Sequence, residues 1–228
     1  MERWRWLPRD LGARHLLVNV PGFTLDLVEG GRVTARHRVI VGRTQTPTPQ
    51  FGAEVTGVIL NPWWDVPASI VAESVGALIR RNPDGARARG YVWQSDAAGH
   101  LRVRQAPGPA NSLGLMKLVM PNPFSIFVHD TPAKPLFARP VRALSHGCIR
   151  TENPLDLAAM LTGLNRDEID ARIAPGETAR LPAPPLPIYI VYLTATAEDG
   201  TGIRLLPDIY RRDELVAAQL ADRGAPPD

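Results

Sequence analysis

The residues with the clearest chemical potential lie close together, in the segment Ser145-His146-Gly147-Cys148-Ile149-Arg150. Cys148 is the only cysteine of the chain, so it cannot form an intramolecular disulfide, and alone it is a poor metal site. A cysteine attacks as its thiolate, and a free thiol with a pKa of ~8.5 is mostly protonated at neutral pH. A nearby imidazole can take that proton and a guanidinium can stabilise the anion. The segment therefore predicts a thiol nucleophile.

A second histidine, His129, is a candidate base for that thiol. His129 ends the run Ser125–Val128, which reads as a strand, and the loop over residues 130–135 is rich in turn formers. The chain can leave the strand at His129 and return to set Cys148 beside it. Gly147 has no Cβ, so the backbone next to the thiol can approach a substrate closely.

The spacing of these residues resembles the signature of the YkuD-type L,D-transpeptidases, enzymes that cross-link bacterial peptidoglycan. In that family a histidine precedes a Ser/Thr-His-Gly-Cys block by a similar interval, here fifteen residues. The resemblance covers roughly residues 1–213 and is greatest to the larger, periplasmic branch that makes 3-3 cross-links. Further segments that carry it are Asn19–Phe23, Val39–Arg43, Thr46–Pro49, Asn61–Pro67, Asn111–Gly114, His129–Pro132 and Asp208–Tyr210. Arg150 stands where many members have asparagine.

The resemblance implies a two-step acyl transfer. Cys148 attacks a peptidoglycan tetrapeptide stem at the bond to its terminal D-residue and forms a thioester, with His129 as the base. An amine of a neighbouring stem then takes the acyl group. It also implies acylation by carbapenems and no cofactor or metal.

Several neighbours have supporting roles in this hypothesis. The backbone N–H groups of Gly147 and Cys148 are candidates for an oxyanion hole. We expect His146 to shape the loop rather than act as a second base, and Ser145 either to orient an imidazole or to bond backbone. The side chain of Asp130 faces away from that of His129 on a strand, so a backbone carbonyl is the better orienting group.

Substrate contacts are predicted for three polar residues. Arg150 suits the free carboxylate of the stem, and Arg142 is a weaker candidate for the same role. Asn111 is as well suited to a stem contact as to anchoring a turn. Lys117 we interpret as a surface lysine.

Many short strands and singly inserted helices predict an α+β fold, with a twisted antiparallel sheet or open barrel. The resemblance implies a YkuD-like β-sandwich catalytic fold with a lid. We predict one catalytic domain over residues 1–228, with a lid insertion at about 67–107. Helices are expected from Pro67 through Ile79, from Asn153 as N-cap, and over about Arg166–Ile173, with a loop over residues 82–90.

Composition limits the function classes. With 44% hydrophobic residues the chain can bury a large core, and a net charge of +3 without a basic run is weak support for nucleic-acid binding. No stretch approaches a transmembrane span, and the N-terminus lacks the apolar core of a signal peptide. Since the resemblance implies a periplasmic or cell-envelope enzyme, we expect a signal sequence and an upstream wall-binding domain to be missing here.

Other hypotheses remain open at this stage. An L,D-carboxypeptidase would use water in place of the acceptor amine. A sortase-like transpeptidase also uses histidine, cysteine and arginine, but without the Ser-His-Gly-Cys block. A zinc site at His129, His146 and Cys148 lacks a recognised ligand motif. A non-catalytic wall-binding module would not need the Cys–His pair.

Overall fold

The computed structural model describes residues 2–198 and 202–224. Fourteen strands and six α-helices are present in these ranges, joined by short 3-10 segments at Glu2–Trp6 and Lys134–Ala138. The strands are β1 (Arg14–Asn19), β2 (Thr24–Glu29), β3 (Arg32–Gly42), β4 (Phe51–Leu60), β5 (Trp64–Asp65), β6 (Tyr91–Ser95), β7 (Leu101–Gln105), β8 (Met116–Val119), β9 (Val128–His129), β10 (Ala143–Ser145), β11 (Ile149–Thr151), β12 (Ala179–Val191), β13 (Ala195–Glu198) and β14 (Gly202–Leu205). The helices are α1 (Ala68–Ile70), α2 (Gly76–Arg81), α3 (Pro83–Ala88), α4 (Pro154–Thr162), α5 (Arg166–Ile173) and α6 (Asp213–Gly224).

Nine strands form the main sheet, in the order β10-β3-β11-β9-β8-β4-β12-β1-β2. Because β2 also pairs with β3, the sheet closes on itself and encloses the main core. The α+β class is confirmed. The sheet is mixed rather than purely antiparallel, since β1–β12, β9–β11 and β10–β3 are parallel pairs.

Alternation along each strand sends one face into this core. On β8, Met116 and Leu118 are fully buried, whereas Lys117 between them lies on the opposite face. α4 contributes Leu157, Ala158 and other apolar residues to the same core. Because the apolar residues of each strand face the core, the polar residues that alternate with them lie on the outer face of the sheet.

A separate small unit is inserted between β4 and β8. Its sheet has the order β5-β7-β6, and its helices include a π-helical turn, Val71–Val75, between α1 and α2. It has its own apolar cluster, which includes Val75, Ile79 and Val103. These elements occupy the range in which the lid insertion was expected.

Several local predictions agree with the structure and others differ. The helix begun after Pro67 and the helix Arg166–Ile173 are confirmed. The loop expected at residues 82–90 is wrong, because Asn82 caps α3 by accepting from the Gly85 N–H, and Pro83 begins that helix. α4 is confirmed, but Asn153 adopts φ +48° and makes no side-chain cap.

Candidate active site

The predicted base and nucleophile come from adjacent strands. β9 is shorter than predicted and holds only Val128 and His129, and Ser125 upstream of it adopts a left-handed φ of +54°. β9 and β11 are parallel, with Ile149 paired to Val128 and Arg150 paired to His129. The Ile149 N–H donates to the Phe127 carbonyl at 2.9 Å. Cys148 therefore enters the sheet next to the end of the strand that carries His129.

His129 is buried and its ring is held in one tautomer. Its Nδ1 bonds to the carbonyl oxygen of Asp130, and since a carbonyl can only accept, Nδ1 carries the proton. Nε2 is left with a free lone pair. Burial lowers the pKa of His129 to about 3, and the nearby positive charges of Arg150 and Lys117 act in the same direction. The imidazole is thus neutral near pH 7, with its Nε2 unprotonated.

The carboxylate of Asp130 does not orient His129. Its oxygens pair with the Lys134 ammonium and accept from the Leu115 N–H at 2.8 Å. The expectation that a backbone carbonyl orients His129 agrees with the structure, in which His129 Nδ1 donates to the backbone carbonyl of Asp130.

Cys148 is partly buried and packs against the edge of the main core. Burial raises the pKa of its thiol, whereas a backbone hydrogen bond at Phe127 and the cations of Lys117 and Arg150 oppose that rise. The sulfur lies 4.0 Å from the Ser125 carbonyl oxygen. The thiol is therefore the resting form at neutral pH, and its ionisation depends on its charged neighbours.

Ser145 and Gly147 shape the loop that carries the thiol. The Ser145 hydroxyl donates to the Cys148 carbonyl at 2.5 Å and accepts from the Gly147 N–H at 3.1 Å. Gly147 has φ +113°, and a Cβ there would meet Ile126 Cδ1 at 3.1 Å. Since the Gly147 N–H is bonded to Ser145, the Cys148 N–H is the better candidate donor for an oxyanion hole.

His146 faces the inserted unit instead of the interior of its own loop. Its Nε2 lies 2.9 Å from a carboxylate oxygen of Glu73, in the π-helical turn. Glu73 also accepts a hydrogen bond from Arg43 at 2.9 Å. The Arg43 bond is the main cause that lowers the pKa of the Glu73 carboxyl, and His146 adds to it. His146 thus links the catalytic loop to the insertion.

Two predicted substrate contacts are corrected by the structure. Asn111 is 1% exposed, and its amide bonds the carbonyls of Pro62, Gln105 and Ala106 and the Leu113 N–H. It anchors a turn and has no face left for a stem peptide. The Arg142 guanidinium is likewise committed, since it donates to the Val39, Arg139 and Phe23 carbonyls.

Arg150, by contrast, has its side chain available. It lies on the same sheet face as its register partner His129, and its Nε is buried without a hydrogen-bond partner among the described residues. Burial lowers the pKa of its guanidinium, and the neighbouring Cys148 opposes that change. A carboxylate bound here would supply the missing partner.

Sequence reasoning missed a support behind the loop. The Thr48 hydroxyl accepts from the Gly42 N–H at 2.9 Å and donates to the Gly147 carbonyl at 2.8 Å. The Tyr210 hydroxyl in turn bonds the Gly42 carbonyl and accepts from the Thr48 N–H at 3.2 Å. Asp208–Tyr210 stood out as a motif, but its contact with this loop is visible only in three dimensions.

No membrane or metal feature is found in the described ranges. No helix there is long and apolar enough to cross a membrane, and no group of three His, Cys, Asp or Glu side chains is placed to hold a metal ion. The alternative zinc site at His129, His146 and Cys148 is therefore not formed.

Comparison with known proteins identifies the family to which this chain belongs. Residues 13–190 match the YkuD family model, described as an L,D-transpeptidase catalytic domain, and the chain belongs to that family of enzymes. A Haemophilus influenzae protein named "Putative L,D-transpeptidase" is 31% identical over 221 residues, which cover 88% of this chain and 45% of that protein. The chain therefore spans less than half of that relative's length.

Solved L,D-transpeptidases are more distant. One from Mycobacterium smegmatis is 13% identical with a TM-score of 0.42, over 78% of this chain and 58% of that chain. The catalytic domain of the E. faecium L,D-transpeptidase, in a structure acylated by ertapenem, is 12% identical with a TM-score of 0.37, over 80% and 99% of the two chains.

Proposed function

We propose that this chain is a cysteine-dependent L,D-transpeptidase domain that makes 3-3 cross-links between peptidoglycan stems, with Cys148 as nucleophile and His129 as base. The observation that carries the proposal is the pairing of β9 with β11, which sets the chain's single thiol beside a neutral imidazole with a free Nε2. The lid role of the insertion and the single-domain organisation belong to the same proposal.

In the first step the stem's carboxylate end binds Arg150, whose buried Nε has no other partner. Nε2 of His129 takes the Cys148 proton while the sulfur attacks the carbonyl carbon before the terminal D-residue. The Cys148 N–H donates to the oxyanion. The C–N bond then breaks, His129 returns the proton to the leaving amine, and a thioester remains.

In the second step an amine of a neighbouring stem attacks the thioester carbonyl. His129 accepts the amine's proton and gives it to the departing sulfur, so the free thiol is regenerated and a new amide bond closes the cross-link. Water in place of the amine would give an L,D-carboxypeptidase. The substrate places the reaction in the cell envelope, on its periplasmic side.

A carbapenem is a further expected reactant, because its strained cyclic amide presents an acyl carbon to the same thiolate. Ring opening would leave the drug attached to Cys148 as a thioester. Arg150 would receive its carboxylate.

The test is intact-protein mass spectrometry after incubation with a disaccharide-tetrapeptide, comparing the wild type with Cys148→Ala. We expect a thioester adduct and release of the terminal D-residue with the wild type alone, followed by a dimeric product. Release without dimer would favour the carboxypeptidase. A folded wild type that gives neither adduct nor release would overturn the proposal.

A further inference from the structure

Three residues form a row across three neighbouring strands. Arg150 on β11 pairs with His129 on β9, and His129 pairs with Lys117 on β8. Their chain neighbours Ile149, Val128 and Met116 all face the main core. Because side chains alternate along a strand, the three polar residues share the opposite face, with His129 between two cations.

Neither cation of this row has an anionic partner among the residues that the structure describes. Within the described ranges, the side chains of Lys117 and Arg150 form no salt bridge and no hydrogen bond. The Lys117 ammonium instead lies over the Phe127 ring, 3.5 Å from its centroid. Its carboxylate neighbour Asp65 is already bonded to Arg104 at 2.7 Å. Partly buried cations without counter-ions are costly, so the site favours an added negative charge.

The lysine is also unusual for this chain. Lys117 and Lys134 are its only two lysines, and the rest of its 26 lysine and arginine residues are arginine. Lys134 is paired with Asp130. A lysine carries a compact point charge on a flexible stem, whereas arginine offers a planar fork suited to carboxylates. Lys117 therefore suits a single small anion better than a second carboxylate site.

We propose that the ammonium of Lys117 is the counter-ion of the Cys148 thiolate during acyl transfer. The inference rests on the proposed function, which makes Cys148 the nucleophile. His129 then serves to carry the proton, and the charge left on sulfur is balanced by Lys117, with Arg150 on the other side of the imidazole. The expectation that Lys117 is a mere surface lysine is replaced by this role.

The electrostatics of the groups that face one another agree with the geometry. Burial raises the pKa of the Cys148 thiol, and the charges of Lys117 and Arg150 oppose that rise. Burial lowers the pKa of Lys117, and the charge of Cys148 opposes that change. In the resting state His129 is neutral, so before proton transfer the cations that face Cys148 are Lys117 and Arg150. Beyond the site, Asp65 attracts and Arg180 repels the charge of Lys117.

The chain offers a matched control in the same row. Lys117 pairs with Ile59 on β4, and Ile59 pairs with Arg180 on β12. Arg180 is exposed and lies on the same face, three strands away from His129. Arg180→Met therefore removes one positive charge from the row but none from beside the thiol.

The experiment measures the rate at which iodoacetamide alkylates Cys148 between pH 5 and 10, by intact mass, for the wild type, Lys117→Met, Lys117→Arg and Arg180→Met. The single cysteine makes the label unambiguous, and Cys148→Ala gives the blank. Since an adjacent opposite charge shifts a pKa by one unit or more, we expect Lys117→Met to react about tenfold more slowly at pH 7, with its midpoint at higher pH. Lys117→Arg should recover most of the rate, and Arg180→Met should match the wild type.

A folded Lys117→Met with the wild-type midpoint would overturn the inference, and so would an equal shift in Arg180→Met. If Lys117→Met does not fold, Lys117→Gln gives the same comparison. Alkylation needs no peptidoglycan, so this outcome is separate from the tetrapeptide test. An unreactive tetrapeptide with a shifted alkylation profile would reject the proposed function while leaving the thiolate–ammonium pair in place.

Discussion

The Thr48 side chain donates a 2.8 Å hydrogen bond to the carbonyl oxygen of Gly147, the residue before the proposed nucleophile. The same hydroxyl accepts from the Gly42 N–H at 2.9 Å. Gly42 has no room for a side chain, since a Cβ there would meet the Thr48 nitrogen at 2.7 Å. One buried hydroxyl thus fixes the thiol's loop to the end of β3.

Thr48→Val keeps the shape of the side chain and removes both bonds. Leaving the buried Gly147 carbonyl and Gly42 N–H unpaired should lower the free energy of unfolding by about 1–3 kcal/mol. Because the loop is then less firmly held, tetrapeptide acylation should fall more than tetrapeptide binding. Denaturant unfolding and single-turnover rates measure the two effects. Thr48→Ser, which keeps the hydroxyl, should stay close to the wild type, and equal losses in both variants would contradict the role of the bonds.

Tyr210→Phe tests the hydrogen bonds that the Tyr210 hydroxyl makes with Gly42 and Thr48. The ring stacks on Tyr192 with centroids 5.4 Å apart, and phenylalanine preserves this stacking. The lost hydroxyl serves the Gly42 carbonyl and the Thr48 N–H, so we expect about 1–2 kcal/mol lower stability and slower acylation. A double variant with Thr48→Val should lose less than the sum of the single effects, because both act on one network. Full additivity would show that Tyr210 acts independently of the loop.

These two residues also show where sequence reasoning ends. Cys148 and His129 could be found from the sequence because a lone thiol near an imidazole is chemically distinctive and both lie near the same stretch. Thr48 reaches Gly147 across 99 residues and Tyr210 reaches Gly42 across 168, and no local pattern encodes such contacts.

The same limit explains the errors about polar residues. Asn111 and Arg142 have the right chemistry for a carboxylate or peptide, but the fold turns both toward backbone carbonyls. The place of Lys117 beside His129 is likewise set only by the strand register, which the sequence does not reveal. Regular elements with strong start signals, such as the helix Arg166–Ile173 with its Asn165–Glu168 capping box, were predicted well.

Asn111→Ala should act on stability and not on substrate affinity. The amide joins three carbonyls and one N–H at the base of the insertion, and its loss leaves several buried groups unpaired. We expect a loss of about 2–3 kcal/mol in the free energy of unfolding, measured in urea. The KM for tetrapeptide should be unchanged in protein that remains folded. A raised KM with unchanged stability would restore the substrate-binding hypothesis.

Glu73→Gln should loosen the contact between the insertion and the catalytic loop. The carboxylate accepts from both His146 and Arg43, and the Arg43 bond is the main reason that the pKa of Glu73 is lowered, so this carboxylate is charged at neutral pH and is protonated only as the pH falls below the ordinary glutamate range. We expect faster amide hydrogen exchange over residues 68–81 and an altered KM, with the alkylation rate of Cys148 unchanged. Asp84→Asn removes an exposed ion pair with Arg87 inside the insertion and is the control. Equal exchange in both variants would contradict the link.

His129 makes the fold sensitive to acid in a defined pH range. Its pKa is lowered to about 3 in the folded state, whereas an unfolded histidine titrates near pH 6.5. Between these values the unfolded chain binds the extra proton, so the His129 contribution to stability is complete above about pH 6.5 and declines as the pH falls toward 3. The slope due to this one group reaches about 1.4 kcal/mol per pH unit.

His129→Gln removes that slope, so urea unfolding between pH 4 and 7 should show a smaller acid-induced loss in the variant than in the wild type. His100, with a side chain 79% exposed, is the matched control, and His100→Gln should follow the wild-type curve. The same neutral state means that acylation need not fall near pH 6.5, where an exposed histidine base would become protonated. Parallel stability curves for the wild type and His129→Gln would show that the folded imidazole titrates normally, and the base would then be expected to switch off near pH 6.5.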